Sequence, residues 1–353
     1  MRFSTEQVLW ITVPGLLLIS MYIVGIVTLA AIPAKNYDII SEPLRVFERV
    51  FPLSQDRPDE PETILFTGDV MLGRYVETLM AAHDTNYPFL YVDDILKSAD
   101  LTFVNLEGPV AIDHTQTPNG STSFSFDKSI SNILRSHGID AVALGNNHTS
   151  DRGQDDYEHT VSELSSVDIA SVGHSVEAAE PIELKVGNET VRFFSFNDTF
   201  PFNDSDSYVK MVNDHATDGI IDIVNMHWGA EYQLSPNADQ QELAHALIDA
   251  GADLIVGHHP HVVQEIEQYN DKLIFYSLGN FIFDQYFSKD VQQGLAIQLE
   301  IDSNDLSIYL LPLESVMSQP QLMIDLDRAF FLEALAQRSD PELQSKIRSA
   351  LIK

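Results

Sequence analysis

The sequence has no cysteine and few cationic side chains. Its 353 residues include 20 Lys and Arg against 53 Asp and Glu, so its formal net charge at pH 7 is −33. Without cysteine the chain has no disulfide bond, no thiolate metal ligand, no cysteine nucleophile and no lipid anchor on cysteine. The negative charge argues against nucleic acid as a partner, because a protein that binds phosphate groups needs a basic surface. We interpret the acidity mainly as a well-solvated surface.

One long apolar run stands near the start of the chain. Residues 8–32 (VLWITVPGLLLISMYIVGIVTLAAI) are 25 consecutive positions without a charged side chain. At about 1.5 Å per residue, a helix of this length measures roughly 37 Å and can cross a hydrocarbon core of about 30 Å. A cleaved signal peptide is the alternative, but its apolar part has only about 7–15 residues. We therefore predict a short tail over residues 1–7 and a transmembrane anchor over 8–32, although the basic residues that follow mildly oppose an external C-terminal domain.

The rest of the chain divides by composition. Residues 33–62 are predicted to be a linker because they end in SQDRPDEPE, an acidic stretch rich in proline. Over residues 63–316, apolar β-rich runs alternate with helical patterns, which predicts an α/β domain with strands buried on both faces. Short turns between the later strands predict hairpins, and hence a mixed sheet or two sheets, and residues 317–353 are predicted to be a helical tail. The predicted strands are 64–68, 101–107, 141–146, 191–196, 220–228, 254–259, 273–283 and 295–301.

Two helices between the predicted strands have clear ends. The first is predicted to start with Asp127 as its N-cap and to stop at Gly138. The second is predicted to start at Ser235, with a proline in its first turn, and to stop at Gly251. Each has one apolar face, so both are expected to pack against a sheet.

Polar residues gather where the predicted strands end, which is where open α/β sheets bind their ligands. Five of the twelve histidines fall directly after predicted strands. The motifs concerned are GDVMLGR from Gly68, NLEGP from Asn105, GNNHTSDRG from Gly145, HWGAEY from His227, GHHPHV from Gly257 and SLGNFIFDQ from Ser277.

Taken singly, these residues have ordinary structural explanations. Asp69 could belong to a turn or a helix cap, and His227 could be a core histidine bonded to the backbone. Glu107 could form an ion pair with Arg74 or Arg152. The residues at 146 and 147 could be turn asparagines.

Taken together, they predict a metal centre. In extended backbone His259 and His261 would point to the same side and converge on one ion. A dinuclear centre needs a bridging carboxylate with further imidazole and oxygen ligands. The predicted ligands that meet this need are Asp69, Glu107, Asn147, His227, His259 and His261.

A catalytic group is expected beside the ligands. His148 would act as general acid, with Asp151 orienting its imidazole, and Asp69 is counted among the catalytic residues as well. Further residues are expected to line the same pocket, namely Arg74, Asn105, Asn146, Glu231, His258, Asn280, Asp284 and Gln285.

The six motifs, in this order over residues 65–285, closely resemble the CapA-type poly-γ-glutamate capsule synthesis proteins, a branch of the calcineurin-like metallophosphoesterases. The resemblance implies a two-sheet β-sandwich flanked by helices, preceded by the transmembrane helix, with the main domain outside the cytoplasm. It implies one or two divalent ions (Mn, Zn, Fe or Mg), with Glu107 as bridging ligand and His148 as catalytic histidine. The expected partners are poly-γ-glutamate or another anionic envelope substrate, membrane-embedded capsule synthesis subunits, and the bilayer through residues 8–32.

One departure from the wider superfamily concerns the first motif. There an Asp-x-His pair is usual, whereas here the third position is Met71. The ion held by Asp69, Glu107 and His261 therefore lacks one imidazole, and we expect a second ion to bind weakly.

Three functions follow as hypotheses. The leading one is a membrane-anchored, metal-dependent protein of poly-γ-glutamate capsule synthesis or export with a hydrolase-like site. The first alternative is a metallophosphoesterase or related hydrolase that acts on another envelope substrate. The second is a non-catalytic subunit that binds the polymer.

Overall fold

The computed structural model describes most of the chain after the predicted linker. The tail 1–7, the anchor 8–32 and all but the end of the linker 33–62 lie outside the described residues. Among the described residues no helix combines the length and apolar character that a membrane span requires. The described residues are 61–217, 219–302 and 305–353.

The first sheet combines a parallel half with an antiparallel half. Its strands in spatial order are β14 (Gln319–Leu322), β13 (Asp305–Val316), β12 (Gln293–Asp302), β1 (Glu62–Val70), β2 (Leu101–Leu106), β3 (Ala141–Ala143) and β4 (Ala170–Val172). The run β1 to β4 is parallel, whereas β12, β13 and β14 join it by antiparallel pairing. Two short strands extend the sheet, β11 (Asn280–Ile282) beside the end of β1 and β15 (Leu351–Ile352) beside β13.

The second sheet has a parallel centre and antiparallel edges. Its strands in spatial order are β5 (Ile182–Val186), β6 (Glu189–Asn197), β7 (Ile221–His227), β8 (Leu254–His258), β10 (Lys272–Phe275) and β9 (Ile266–Tyr269). The pairs β6–β7, β7–β8 and β8–β10 are parallel, and the two outer pairs are hairpins.

The helices connect the strands and cover the sheets. They are α1 (Arg74–Ala82), α2 (Asp93–Leu96), α3 (Ser129–Ser136), α4 (Gln154–Ser165), α5 (Ser205–His215), α6 (Ala238–Asp249), α7 (Lys289–Gln292), α8 (Asp325–Arg338) and α9 (Gln344–Arg348), with a 3₁₀ turn at Tyr87–Phe89.

Alternating side chains of the central strands explain why both faces of the second sheet are buried. Phe193 of β6 stacks on Phe103 of β2 at 4.9 Å between ring centroids, and both lie in the core between the sheets. The next residue, Phe194, points the other way into an apolar cluster with residues of α5 and α6, such as Tyr208 and Leu247. The predicted mixed α/β architecture of two packed sheets with helices outside is therefore confirmed.

Three boundaries differ from the prediction. The segment 273–283 is not one strand, because the chain leaves β10, turns at Gly279 with φ +68° and joins the other sheet as β11. Helix α6 starts later than Ser235, because the side chain of Asn237 accepts a hydrogen bond from the Gln240 amide at 2.8 Å in a capping box. Helix α3 starts at Ser129 with Lys128 at the cap position, while Asp127 accepts a hydrogen bond from the Ser129 amide at 2.9 Å.

The end of the chain also differs from a helical tail. Residues 317–353 contain α8 and α9, but they also contain β14 and β15, which pair with β13 in the first sheet. Apolar residues of these helices, Phe331 and Ile347 among them, belong to the core between the sheets. This segment therefore completes the domain.

A close approach of two backbones sets the end of β1. A side chain at Gly68 would collide with the carbonyl group of Gly279, so glycine lets β1 and the start of β11 come together. The amide of Asp69 then donates to the carbonyl oxygen of Gly279 at 2.9 Å. Asp69 is thereby fixed between Asn105 of β2 and Asn280 of β11, its register partners.

A buried ion pair between β6 and β7 gives a test of the fold. Arg192 donates to Asp222 at 2.9 Å, and the side chains are only 5% and 2% exposed. Arg192→Ala would leave the Asp222 carboxylate buried without its cation, so we expect a loss of about 3–5 kcal/mol in the free energy of unfolding by denaturant titration. Arg348→Ala, which removes an exposed pair with Glu333, is the control and should cost at most about 1 kcal/mol. Equal losses in the two variants would contradict this account.

Candidate metal centre

The ends of strands from both sheets meet at one place. Asp69 lies near the end of β1, and Glu107 directly follows β2. His227 and His258 are the last residues of β7 and β8 and are register partners, so they stand side by side at the end of the second sheet. The strand ends of both sheets therefore contribute to one cluster, as the sequence predicts for the ends of parallel strands.

Glu107 is the least compensated group of this cluster. Both of its carboxylate oxygens are buried and neither has a hydrogen-bond partner. The nearest basic atoms are Nε2 of His148 and Nε2 of His261, each 3.8 Å from Oε1, which is too far for a hydrogen bond. Burial raises the pKa of Glu107 to about 7, although the charge of His261 opposes the shift.

The alternative ion pairs of Glu107 are not formed. Arg74 pairs with Asp284, and Arg152 pairs with Asp156 at 3.4 Å. The explanation of Glu107 as half of a simple surface ion pair is therefore wrong.

Asp69 is buried as fully as Glu107 but is well supplied with partners. Its Oδ1 accepts a hydrogen bond from the side-chain amide of Asn105 at 2.8 Å, and its Oδ2 lies 3.1 Å from Nδ1 of His261. Nδ1 of His258 lies 3.3 Å from Oδ1. Burial works against the charged form, but the contacts with His258 and His261 outweigh it and hold the pKa of Asp69 well below its usual range. Asp69 is therefore an anion in the folded protein.

The histidines fall into two electrostatic classes. Burial lowers the pKa of His227 well below its usual range, and burial likewise lowers the pKa of His259 to about 4. For His261 burial is outweighed by the charges of Glu107 and Asp69, which raise its pKa to about 9. His227 and His259 are thus neutral, the state in which imidazole binds metal. His261 carries a proton that the two carboxylates stabilise and that a metal ion bound to it would displace.

The donor atoms fit a divalent ion. Asp69, Glu107 and His227 each offer a ligand atom, and these atoms all lie within 4.8 Å of one another. Oδ1 of Asn147 lies 2.8 Å from Nε2 of His227, and the ring of His259 lies 4.8 Å from that of His227. With His261 beside Asp69, the fold brings together all six predicted ligands. A mixed set of oxygen and nitrogen donors around an uncompensated carboxylate suits a divalent metal and leaves its identity open.

The backbone of the GHHPHV motif is not extended. Strand β8 ends at His258, and His259 and His261 have φ angles of +94° and +57°. The assumption that alternation in a strand aligns these two side chains is therefore wrong. Positive φ is unfavourable for residues with a Cβ, so the packing around this turn must hold both histidines in place.

His148 and Asp151 form the expected pair. Nδ1 of His148 lies 2.7 Å from Oδ2 of Asp151, and the backbone amide of Phe124 donates to the same oxygen at 2.6 Å. A carboxylate only accepts, so Nδ1 carries the proton and Nε2 faces Glu107. The ring of Phe124 stacks on the imidazole at 3.9 Å, which fixes its plane.

Four other predicted pocket residues form hydrogen bonds beside the predicted ligands. The side-chain amide of Asn146 donates to Oδ1 of Asn105 at 3.0 Å, and its oxygen accepts from the His148 backbone amide at 3.1 Å. Oδ1 of Asn280 lies 3.0 Å from Nδ1 of His261. The amide of Asn280 in turn donates to Gln285 at 3.1 Å.

The remaining predicted pocket residues lie further from the ligands. Arg74 is paired with Asp284, and its guanidinium lies over the rings of Phe124 and Phe283, at 4.8 and 5.4 Å from the centroids. Glu231 is exposed, and its charge adds to those that raise the pKa of Glu107. Sequence reasoning missed Phe124, because it lies outside helices and strands and carries no reactive group.

Met71 offers a thioether where the wider superfamily has an imidazole. It is buried, and its sulfur accepts a hydrogen bond from the backbone amide of Gly73 at 3.1 Å. The weak second ion expected from this residue stays a prediction.

Comparison with known proteins places the chain in a family. The model of the family described as "Bacterial capsule synthesis protein PGA_cap" matches residues 63–285. The PGA biosynthesis protein CapA of Bacillus subtilis is 32% identical over 264 residues, which cover 70% of this chain and 69% of that protein. The capsule biosynthesis protein CapA of Bacillus anthracis is 31% identical over 285 residues, which cover 74% and 69%.

Solved structures are more distant. A novel phosphatase from Mycoplasma pneumoniae superposes with a TM-score of 0.41 at 14% identity, covering 75% of this chain and 91% of that one, and we infer nothing about activity from it. The resemblance to the CapA-type proteins is confirmed by the two Bacillus relatives and the family match. The chain belongs to the bacterial capsule synthesis protein PGA_cap family.

Proposed function

We propose that this chain is a metal-dependent protein of poly-γ-glutamate capsule synthesis or export with a hydrolase-like site. The single observation that carries the metal dependence is Glu107, a buried carboxylate whose two oxygens have no hydrogen-bond partner inside a ring of donor groups. An unpaired charge in that position is costly, and a divalent cation would compensate it. The capsule role is supported by the relatives, two of which are named for capsule or PGA biosynthesis.

Six residues would hold the metal, and they are the predicted ligands Asp69, Glu107, Asn147, His227, His259 and His261. A divalent ion bound there would polarise a carbonyl or phosphoryl oxygen and make a bound water acidic enough to ionise near neutral pH. Asn105, which contacts Asp69, and Asn280, which contacts His261, would hold these two groups in position for binding.

The chain's own proton donor would be His148. Asp151 fixes the proton on Nδ1, so the atom that can give or take a proton is Nε2, which faces the centre. Nε2 is the atom that would exchange a proton with a leaving group. Phe124 keeps the ring from rotating, because its backbone amide and its side chain both contact the pair.

Charge explains why a metal would matter for an anionic polymer. The chain carries a net charge of −33, so its surface repels a polyglutamate chain at long range. Arg74, the arginine in the wall of the centre, is already paired with Asp284. A bound divalent ion would supply the positive charge that lets such a substrate approach Asp69 and Glu107.

Two alternatives from the sequence remain proposals. A hydrolase acting on another envelope substrate would use the same residues and differ only in what it binds. A non-catalytic polymer-binding subunit would need the metal ligands but not the His148–Asp151 pair. The 2.7 Å contact between those side chains therefore favours an enzyme.

The location is proposed from residues 8–32. We propose a single-pass protein of the cell membrane with residues 61–353 outside the cytoplasm, where a capsule polymer accumulates. Membrane-embedded subunits of capsule synthesis are the expected partners, and nucleic acid is not.

The first test concerns the metal. Glu107→Gln removes the bridging charge with little change in volume, so we expect at least about a 10-fold loss of Mn²⁺ or Zn²⁺ affinity, measured by elemental analysis after equilibrium dialysis. In metal-free buffer the variant should be no less stable than the wild type, because an unpaired buried charge is gone. Glu333→Gln, at an exposed carboxylate, is the control. Unchanged metal content in Glu107→Gln would contradict the assignment of Glu107 as a metal ligand.

The second test concerns catalysis. His148→Ala should lower hydrolysis of poly-γ-glutamate or of a chromogenic phosphodiester by about 10²–10⁴-fold while the metal content stays that of the wild type. Asp151→Asn should cause part of this loss, because a neutral amide supports a proton-transferring imidazole less well than a carboxylate does. His114→Ala, at a histidine that contacts Glu77 and Ser125 instead, tests for general damage to the fold. If the wild type turns over neither substrate but binds the polymer, the binding alternative replaces the enzyme.

The third test concerns the anchor. In cells that express the full chain, we expect the protein to remain in the membrane fraction after extraction with alkaline carbonate, because a span of about 30 Å resists that treatment. Protease added to intact cells should cleave the domain. Release by carbonate would refute the anchor, and protection in intact cells would refute only the proposed orientation.

A further inference from the structure

The imidazole that the first motif lacks is supplied from another strand. Position 71 carries a methionine whose sulfur is bonded to the Gly73 amide, so it offers no ligand to Asp69. His258 lies on the opposite sheet, at the end of β8, and its Nδ1 is 3.3 Å from Oδ1 of Asp69. We propose that His258 is a ligand of the ion held by Asp69, an assignment that rests on the metal centre of the proposed function.

The burial of His258 and the lack of a hydrogen-bond partner for its Nδ1 support a role as a ligand. Its side chain is only 3% exposed, and its Nδ1 has no hydrogen-bond partner. A buried imidazole nitrogen without a partner is costly in a folded protein. The oxygen that it approaches, Oδ1 of Asp69, accepts a hydrogen bond from Asn105 at 2.8 Å and has a second lone pair that an ion could share with His258.

The separations fit two ligands of one ion. Metal–ligand bonds of about 2.0–2.2 Å at octahedral or tetrahedral angles put neighbouring ligand atoms about 2.8–3.6 Å apart. Nδ1 of His258 lies 3.3 Å from Oδ1 of Asp69, and Nδ1 of His261 lies 3.1 Å from Oδ2. Both imidazoles therefore stand at a ligand's distance from the same carboxylate.

The fold explains why the residue comes from β8. His227 and His258 are register partners on neighbouring parallel strands, so their side chains emerge side by side from the same face. His227 sits with Asn147 and Asn105, while His258 sits with Asp69. The second sheet thus presents two neighbouring imidazoles to the cluster, and His258 would supply the imidazole that position 71 lacks.

The experiment separates a ligand from a residue that only positions Asp69. The purified full chain is stripped of metal and titrated with Co²⁺, with the bound metal counted by elemental analysis and the visible absorption recorded. His258→Gln keeps an N–H that can donate to Asp69 but gives up the imidazole. We expect it to bind one ion fewer than the wild type, or to bind that ion at least about 10-fold more weakly, with loss of part of the visible absorption. His258→Ala should behave in the same way.

Two control variants distinguish the possible results. His245→Gln, at a histidine that contacts Glu267 at 2.7 Å away from the centre, should keep the wild-type count. Met71→His should leave affinity unchanged, because His258 already supplies an imidazole to the ion held by Asp69. Wild-type binding in His258→Gln, or a tenfold gain in Met71→His, would overturn this assignment alone. No Co²⁺ on the wild type would overturn the proposed metal centre as well.

Discussion

The structure is organised around two carboxylates that are buried together. Ligand atoms of Asp69 and Glu107 lie within 4.8 Å of each other, and like charges at that distance repel by roughly 3 kcal/mol at an effective dielectric constant of about 20. In the described part of the chain, the ion-pair contacts of these carboxylates are all with imidazoles. The arrangement is therefore strained as protein alone, and it becomes favourable when a divalent cation supplies the missing charge.

The two-sheet fold is what makes this concentration of charge possible. Asp69 and Glu107 come from the first sheet, whereas His227 and His258 come from the second, and the apolar core between the sheets keeps their ends together. The core includes the stacked rings of Phe103 and Phe193. Burial of such rings stabilises the fold enough to tolerate an uncompensated charge at its edge.

The chemistry could be predicted from the sequence better than the backbone that presents it. Motifs at strand ends identified the six predicted ligands that the fold brings together and the His148–Asp151 pair, because strand and helix patterns are local and parallel strands end at one edge. The turn at His259 and His261 could not be foreseen, since positive φ in residues with a Cβ is imposed by tertiary packing. Phe124 and the contact of His258 with Asp69 depend on distant segments meeting, which periodicity does not encode.

Arg74 packs against aromatic rings that contact two different histidines of the candidate centre. Its guanidinium lies over Phe124, which stacks on His148, and over Phe283, whose ring is 4.7 Å from that of His261. Because Asp284 neutralises Arg74, the arginine supports these rings by packing and adds no net positive charge beside Glu107. Arg74 thus connects the side chains packed around His148 with those packed around His261 and Asp69. Substitutions on the two sides are therefore expected to be coupled energetically, since residues that share partners do not contribute independently.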